Sequence, residues 1–298
     1  MKKILIASLV FFTFGFDMAY AESISLWTRM KGDYTNGKVH GKVKPIKINL
    51  DALKLEKRTI KDVHYNKDKT YLGVPVLDLI TTYKPSLKLN LALLHFANGI
   101  IYPIRLEERQ AIEHIFVAKK MLQGKKFVAK FPNASLTQSI RGKKREIKIQ
   151  FTTSKIAAPK NWLLLGKNKE PIHKHFNPIQ HADRLVGIEF ADAEAYYNQF
   201  KVADVQGYFY GRVSYIGRCQ YCHSVRGIGP KFGRDFVQGT PIYQSIKPID
   251  LFRQVKRPDR GVSAQLMPHQ PDFTISEAKD LWRWLRDVTD RELLPYNP

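Results

Sequence analysis

The chain has 298 residues, 44% hydrophobic and 26% charged, which excludes a wholly disordered, collagen-like or low-complexity protein and leaves room for two ordinary domains. Its 49 Lys+Arg against 27 Asp+Glu give a net charge of +22, which points to an acidic partner or surface. Two cysteines exclude both a disulfide scaffold and a four-cysteine zinc site.

Residues 1–21 read as a secretory signal: Lys2 and Lys3, the apolar run Ile4–Phe16, then the small-x-small pattern Ala19-Tyr20-Ala21. At ~1.5 Å per residue the run covers roughly 20 Å, short of a ~30 Å hydrocarbon core. Cleavage after Ala21 and a soluble periplasmic protein are therefore expected, and no cysteine stands near the cleavage point for a lipid anchor. Residues 201–298 hold 15 Lys+Arg against 10 Asp+Glu, so most of the positive excess lies upstream. That asymmetry divides the rest into a basic domain of unknown role at 22–195 and a second domain at 196–298.

The first of these has an α+β texture, rich in strands. Pro45–Leu50 and Glu146–Phe151 alternate apolar and polar residues, as half-buried strands do. Val76–Tyr83 reads as one short helix, stopped before Pro85. Asn98-Gly99, between Leu91–Phe96 and Ile100–Tyr102, predicts a hairpin. Residues 166–181 are polar and interrupted by Pro171 and Pro178, a long loop or linker, and Asp183–Phe190 is a candidate last strand.

Cys219-Gln220-Tyr221-Cys222-His223 carries chemistry. Two thiols three positions apart can each add to a vinyl group of one haem, and the next residue then presents an imidazole to the iron. A thioredoxin-like pair would not need the histidine, a zinc site lacks a second ligand pair, and a disulfide across two residues is unusual. Gly227-Ile228-Gly229-Pro230 follows, where a carbonyl can accept from the second imidazole nitrogen. Met267, in Leu266-Met267-Pro268, offers a soft sixth ligand that raises the reduction potential, with His269 as its rival. Thr274-Ile275-Ser276-Glu277 is a capping box, after which Leu281, Trp284, Leu285 and Val288 form a packing stripe on a terminal helix.

In combination, CQYCH, GIGP, the Met-Pro loop and the terminal helix make residues from about 200 to 298 resemble a class I c-type cytochrome. The resemblance implies an all-α domain with one covalently bound haem c, held by Cys219 and Cys222. It further implies His223 and Met267 as axial iron ligands and the Pro230 carbonyl as support for His223. The last helix would cross one at about Val205–Ile216, and Phe232 stands where such domains often have Leu. In the first domain, Tyr71–Ile80 is similar to the G-V-P-L-x-D-L-L stretch of the sulfite-oxidase-like molybdopterin-binding fold. Those enzymes bind molybdenum through a protein cysteine, and both cysteines here belong to the haem motif, so a relative lacking the metal is implied.

The resulting expectation is a periplasmic electron carrier, a monohaem cytochrome c with a basic docking module, rather than a catalyst. Its partners would be acidic redox proteins or an anionic membrane surface, not nucleic acid, which export excludes. The alternative is an oxidoreductase whose first domain oxidises a small substrate and passes electrons to the haem. A redox or gas sensor is a third reading. His173, His175 and His181 lie in a lysine-rich polar loop, where histidines are ordinarily solvated rather than metal-bound. The lysine clusters at 119–120, 125–126 and 143–145 are either a solvated face or a steering surface.

Overall fold

The structure, a computed structural model, describes residues 23–30, 34–35, 38–39, 44–49, 52–62, 67–83, 86, 88–107, 115–121, 134–140, 143–149, 162–165, 185–201, 206–256, 267, 270–290 and 296–297. The candidate signal, the 166–181 loop with its histidines, and the immediate neighbours of Met267 lie outside them. No helix among the described residues is long and apolar enough to cross a membrane.

Strands come first. They are β1 (Ser23–Thr28), β2 (Tyr34–Thr35), β3 (Lys38–Val39), β4 (Ile46–Asn49), β5 (Glu56–Asp62) and β6 (Lys67–Pro75). Helix α1 (Val76–Tyr83) follows with the predicted bounds, burying Val76, Leu79 and Ile80 at helical spacing. Next are β7 (Leu91–Phe96), β8 (Ile101–Arg105), β9 (Ile115–Met121), β10 (Ala134–Ile140), β11 (Lys143–Ile149), β12 (Trp162–Leu165) and β13 (Leu185–Ala191). The remainder is helical: α2 (Ala193–Asn198), α3 (Gln206–Ser214) running into a π-turn at Tyr215–Cys219, α4 (Ile242–Ser245), α5 (Pro248–Lys256) and α6 (Ile275–Asp290).

A five-stranded sheet, ordered β4-β1-β13-β7-β8, organises the chain; β1 and β13 are parallel and the other pairs antiparallel. A second antiparallel sheet, β12-β9-β6-β5, adds Val74 and Val117 to the core on one face of the first. Side chains alternate along each strand of the first sheet. Ala92, Leu94, Phe96, Ile188 and Phe190 face that core together with α1. Leu91, Leu93 and Ala191 face a second core, built with α2, α5, α6 and the π-turn. Burial on both faces explains why Leu91-Ala92-Leu93-Leu94 is apolar without alternation.

The predicted hairpin forms, with residues 97–100 as its connection: Phe96 N–H donates to the Ile100 carbonyl and Gly99 N–H to that of Phe96. The capping box forms too, with Thr274 N–H donating to Glu277 Oε2 (2.8 Å) and Glu277 N–H to Thr274 Oγ1 (3.2 Å). Helices α3 and α6 cross at Gly211, where a Cβ would stand 2.2 Å from the Asp280 carbonyl oxygen and 2.5 Å from Trp284 Cβ. The chain passes from strands to helices at Ala191–Ala193. The two cores nevertheless share sequence: Tyr221 and Cys222 belong to the first, Leu91 and Leu93 to the second.

One ionic cluster is buried between sheet and helices. Glu189 takes Arg29 Nε on one oxygen (2.8 Å) and His95 Nε2 on the other (2.9 Å), with the Arg29 and Glu189 side chains 2% and 3% exposed. The guanidinium also lies over the rings of Tyr196 and Tyr296. Burial pushes the Glu189 carboxyl up, but Arg29 and His95 together outweigh it and hold it at about 2, against 4.5 ordinarily.

Two expectations follow from this packing. Glu189→Gln leaves Arg29 buried without a counter-charge and should cost about 3–5 kcal/mol of unfolding free energy at neutral pH, measured by chemical denaturation. Because the folded-state carboxyl titrates below its unfolded value, its contribution is complete above about pH 4.5 and drains away as the pH falls to about 2. The wild type should therefore lose stability across that window more steeply than the variant. Gly211→Ala forces apart α3 and α6 and should cost about 1–3 kcal/mol, seen as a lowered thermal midpoint.

Candidate functional site

The CQYCH segment leaves the π-turn at the junction of the two cores. Cys219 is buried against the helices and Cys222 against the sheet side, each less than a tenth exposed, and the two are not disulfide-bonded. Burial pushes both thiols up to about 12. Cys222 N–H and His223 N–H both donate to the Cys219 carbonyl, so the motif closes as a tight helical turn. Tyr221, between the cysteines, stacks on Tyr102 of β8 with centroids 5.6 Å apart. Its carbonyl accepts from Ile101 N–H (3.2 Å), and the Gly99 carbonyl accepts from Lys231 N–H (3.1 Å). The hairpin is thus stitched to both ends of the motif loop.

His223 is half-buried and fixed on three sides. Its ring stacks on Phe236 with centroids 4.5 Å apart, and lies so close to Gly233 that a Cβ there would be 2.5 Å from Cε1. Its Nδ1 is 2.9 Å from the Arg234 carbonyl oxygen. A carbonyl only accepts, so Nδ1 carries the proton and Nε2 keeps a lone pair. Burial moves the imidazole pKa down, favouring this neutral form.

The supporting carbonyl therefore belongs to Arg234, not to Pro230 as expected. The reason lies in the path of the loop. Lys231 N–H is drawn to Gly99, and Gly233 N–H then returns to the Cys222 carbonyl (2.7 Å), which brings the next peptide against the imidazole. Pro230 itself is buried in that loop. Phe232 packs against the sheet-side core, a use for the larger ring at that position.

Met267 is partly buried and packs on the same core that holds Cys219 and Phe236. Among the described residues no three His, Cys, Asp or Glu side chains come together as a metal cluster.

Three further residues shape the site, and the sequence reading did not single them out. Tyr215, four residues before Cys219, donates its hydroxyl to the His223 carbonyl (2.8 Å) and packs on Trp284 and Phe236. Its helical spacing from the motif was the available signal. Asp235 accepts from Ser224 Oγ and the backbone N–H groups of Gly227, Val237 and Gln238, each at 2.7 Å. Burial raises this carboxyl, but the hydrogen bonds outweigh that and lower it, so it stays ionised. It also accepts from Arg226 N–H, holding that residue at φ +51°. Arg218 ties the motif to the start of α6 through Glu277 (3.0 Å) and Asp272 (3.1 Å). No protein-family model, curated protein or solved structure matches the chain.

Closure of both thiols has a measurable consequence. In chain produced where no cofactor is supplied, iodoacetamide should alkylate Cys219 and Cys222 on the order of 100-fold more slowly under native conditions than in urea. Equal rates in the two conditions would contradict the burial described.

Proposed function

We propose that the chain is a one-electron carrier in which a single haem c is bound through Cys219 and Cys222 and ligated by His223 and Met267. The observation that carries the reading is the state of His223: neutral, Nδ1 committed to a backbone carbonyl, and Nε2 left with a lone pair, as an axial iron ligand requires. Two cysteines in one helical turn, immediately before it and not oxidised to a disulfide, fit the covalent attachment. The absence of a three-residue cluster of metal-binding side chains does not bear on it, because a porphyrin supplies four of the iron's six bonds.

When bound, the haem supplies a ferric–ferrous couple. The residues of the chain hold and tune it. Arg234 and Gly233 fix the histidine ring, Tyr215 fixes the backbone that carries it, and the Met267 thioether favours ferrous iron. If His223 and Met267 both held the iron, a small substrate would be disfavoured there, which supports electron exchange with another protein. The net charge of +22 supports an acidic partner, met outside the cytoplasm if residues 1–21 act as a signal.

The test is maturation of the chain with haem-attachment machinery in a periplasm. We expect one iron and no molybdenum per chain, haem that survives denaturing electrophoresis, and a single one-electron transition on redox titration. Met267→Ala should lower the potential and open the ferrous protein to carbon monoxide, while Cys219→Ser/Cys222→Ser should abolish covalent haem. Matured chain without covalent iron would overturn the reading, and stoichiometric molybdenum would replace it with that of a fused oxidase.

A further inference from the structure

A cleft of about 530 Å³ lies between the first sheet and the loop that follows the motif, within the size range of small-molecule sites. Its walls come from both parts of the chain: Trp27 of β1, His95 of β7, Ile100 and Ile101 of the hairpin, and Gly229 and Lys231 of the loop.

The chemistry of these walls is specific. His95 is set by the buried cluster. Ionised Glu189 only accepts, so Nε2 carries the proton it donates, and Nδ1 is the ring nitrogen left for a ligand. No partner for Nδ1 stands among the described residues, and the ring, 20% exposed, lines the cleft. Trp27 is packed against His95 with centroids 4.8 Å apart. Its ring covers Gly187, where a Cβ would be 2.3 Å from the indole. Lys231 is exposed at the cleft, its backbone anchored on Gly99 and its ammonium the cation among the lining side chains.

From this arrangement we infer that the cleft binds a small aromatic hydroxy acid. The ring packs on Trp27 and Ile101 of the hairpin, the hydroxyl hydrogen-bonds to His95 Nδ1, and the carboxylate pairs with Lys231. A purely apolar ligand would leave His95 unused, and a bare inorganic anion would not use the indole face. The excess of positive charge on the chain adds attraction for an anion of this class. The inference goes beyond electron transfer and does not depend on it, because every contact is made by a protein side chain. The bound molecule would nevertheless sit beside the loop that cradles His223.

The probe is 4-hydroxybenzoate, titrated into full-length protein by calorimetry and followed through the imidazole resonances of His95, with benzoate as the analogue lacking the hydroxyl. We expect saturable binding, at least threefold tighter for the hydroxylated acid. Lys231→Ala should weaken both ligands about fivefold, whereas Lys88→Ala, which removes the same charge from an exposed site off the cleft, should not. His95→Gln, which keeps a donor towards Glu189, should erase the preference for the hydroxyl. No saturable binding, or equal weakening by the lysine control, would overturn the inference. Haem content measured on the same sample separates the two proposals, since binding without haem, or haem without binding, removes only one of them.

Discussion

The stitch between the β7–β8 hairpin and the CQYCH loop is the constraint on which the rest depends. A loop bearing three glycines and a proline between positions 227 and 233 has little structure of its own. Here it is given an edge to follow: Ile101 bonds to Tyr221, Gly99 to Lys231, and Tyr102 stacks on the residue between the cysteines. Once Lys231 is held on the hairpin, the return of Gly233 to Cys222 is a short closure. The contact between Arg234 and His223 follows from it. The orientation of one imidazole is thus set by a strand pair more than a hundred residues upstream. The first sheet is a wall of the candidate site rather than a separate body.

The same sheet explains a costly feature of the interior. A carboxylate between two cores has no water to solvate it, and Glu189 is tolerated because Arg29 and His95 occupy both its oxygens. Each partner is itself held: the guanidinium by two aromatic faces, the imidazole by Trp27. Tyr296 closes the arrangement from the last described segment, accepting from Asp192 N–H at the start of α2. A charge that elsewhere would be a liability here joins β1, β7, β13 and the helical half in one network.

Much of this was legible in the residues, and the division is physical. Local features could be read because local energetics decide them. The capping box at Thr274, the bounds of α1 and the hairpin at Asn98-Gly99 each follow from neighbours in sequence. The apolar stripe of α6 predicted a packing face, and Gly211 is the place where that face meets α3. What could not be read are contacts between distant segments. The choice of the Arg234 carbonyl over Pro230 depends on the hairpin, and nothing in GIGP announces it. Asp235 looked like any loop acid until its fan of donors was in view. His95 stood inside a predicted strand, with no sign that a buried acid 94 positions away would hold its Nε2.

Fixing a histidine without charging it has a consequence for the proposed electron exchange. A group that moved or took up a proton whenever iron changed its oxidation state would add reorganisation to every transfer. Around His223 little is free to move: the ring is held by Gly233, Phe236 and the Arg234 carbonyl, its backbone by Tyr215, and the loop by the fully engaged carboxylate of Asp235. Tyr215 is itself buried, with its hydroxyl pKa well above the ordinary value, so it keeps its proton and its hydrogen bond. Preorganised dipoles that do not respond to a change of charge are what a one-electron site needs, as they are in catalysis. A hydrolytic or group-transfer centre would instead need a group poised to give or take a proton near neutrality. Around the imidazole loop Tyr215 is pushed up, and His223 and Asp235 down, away from that range.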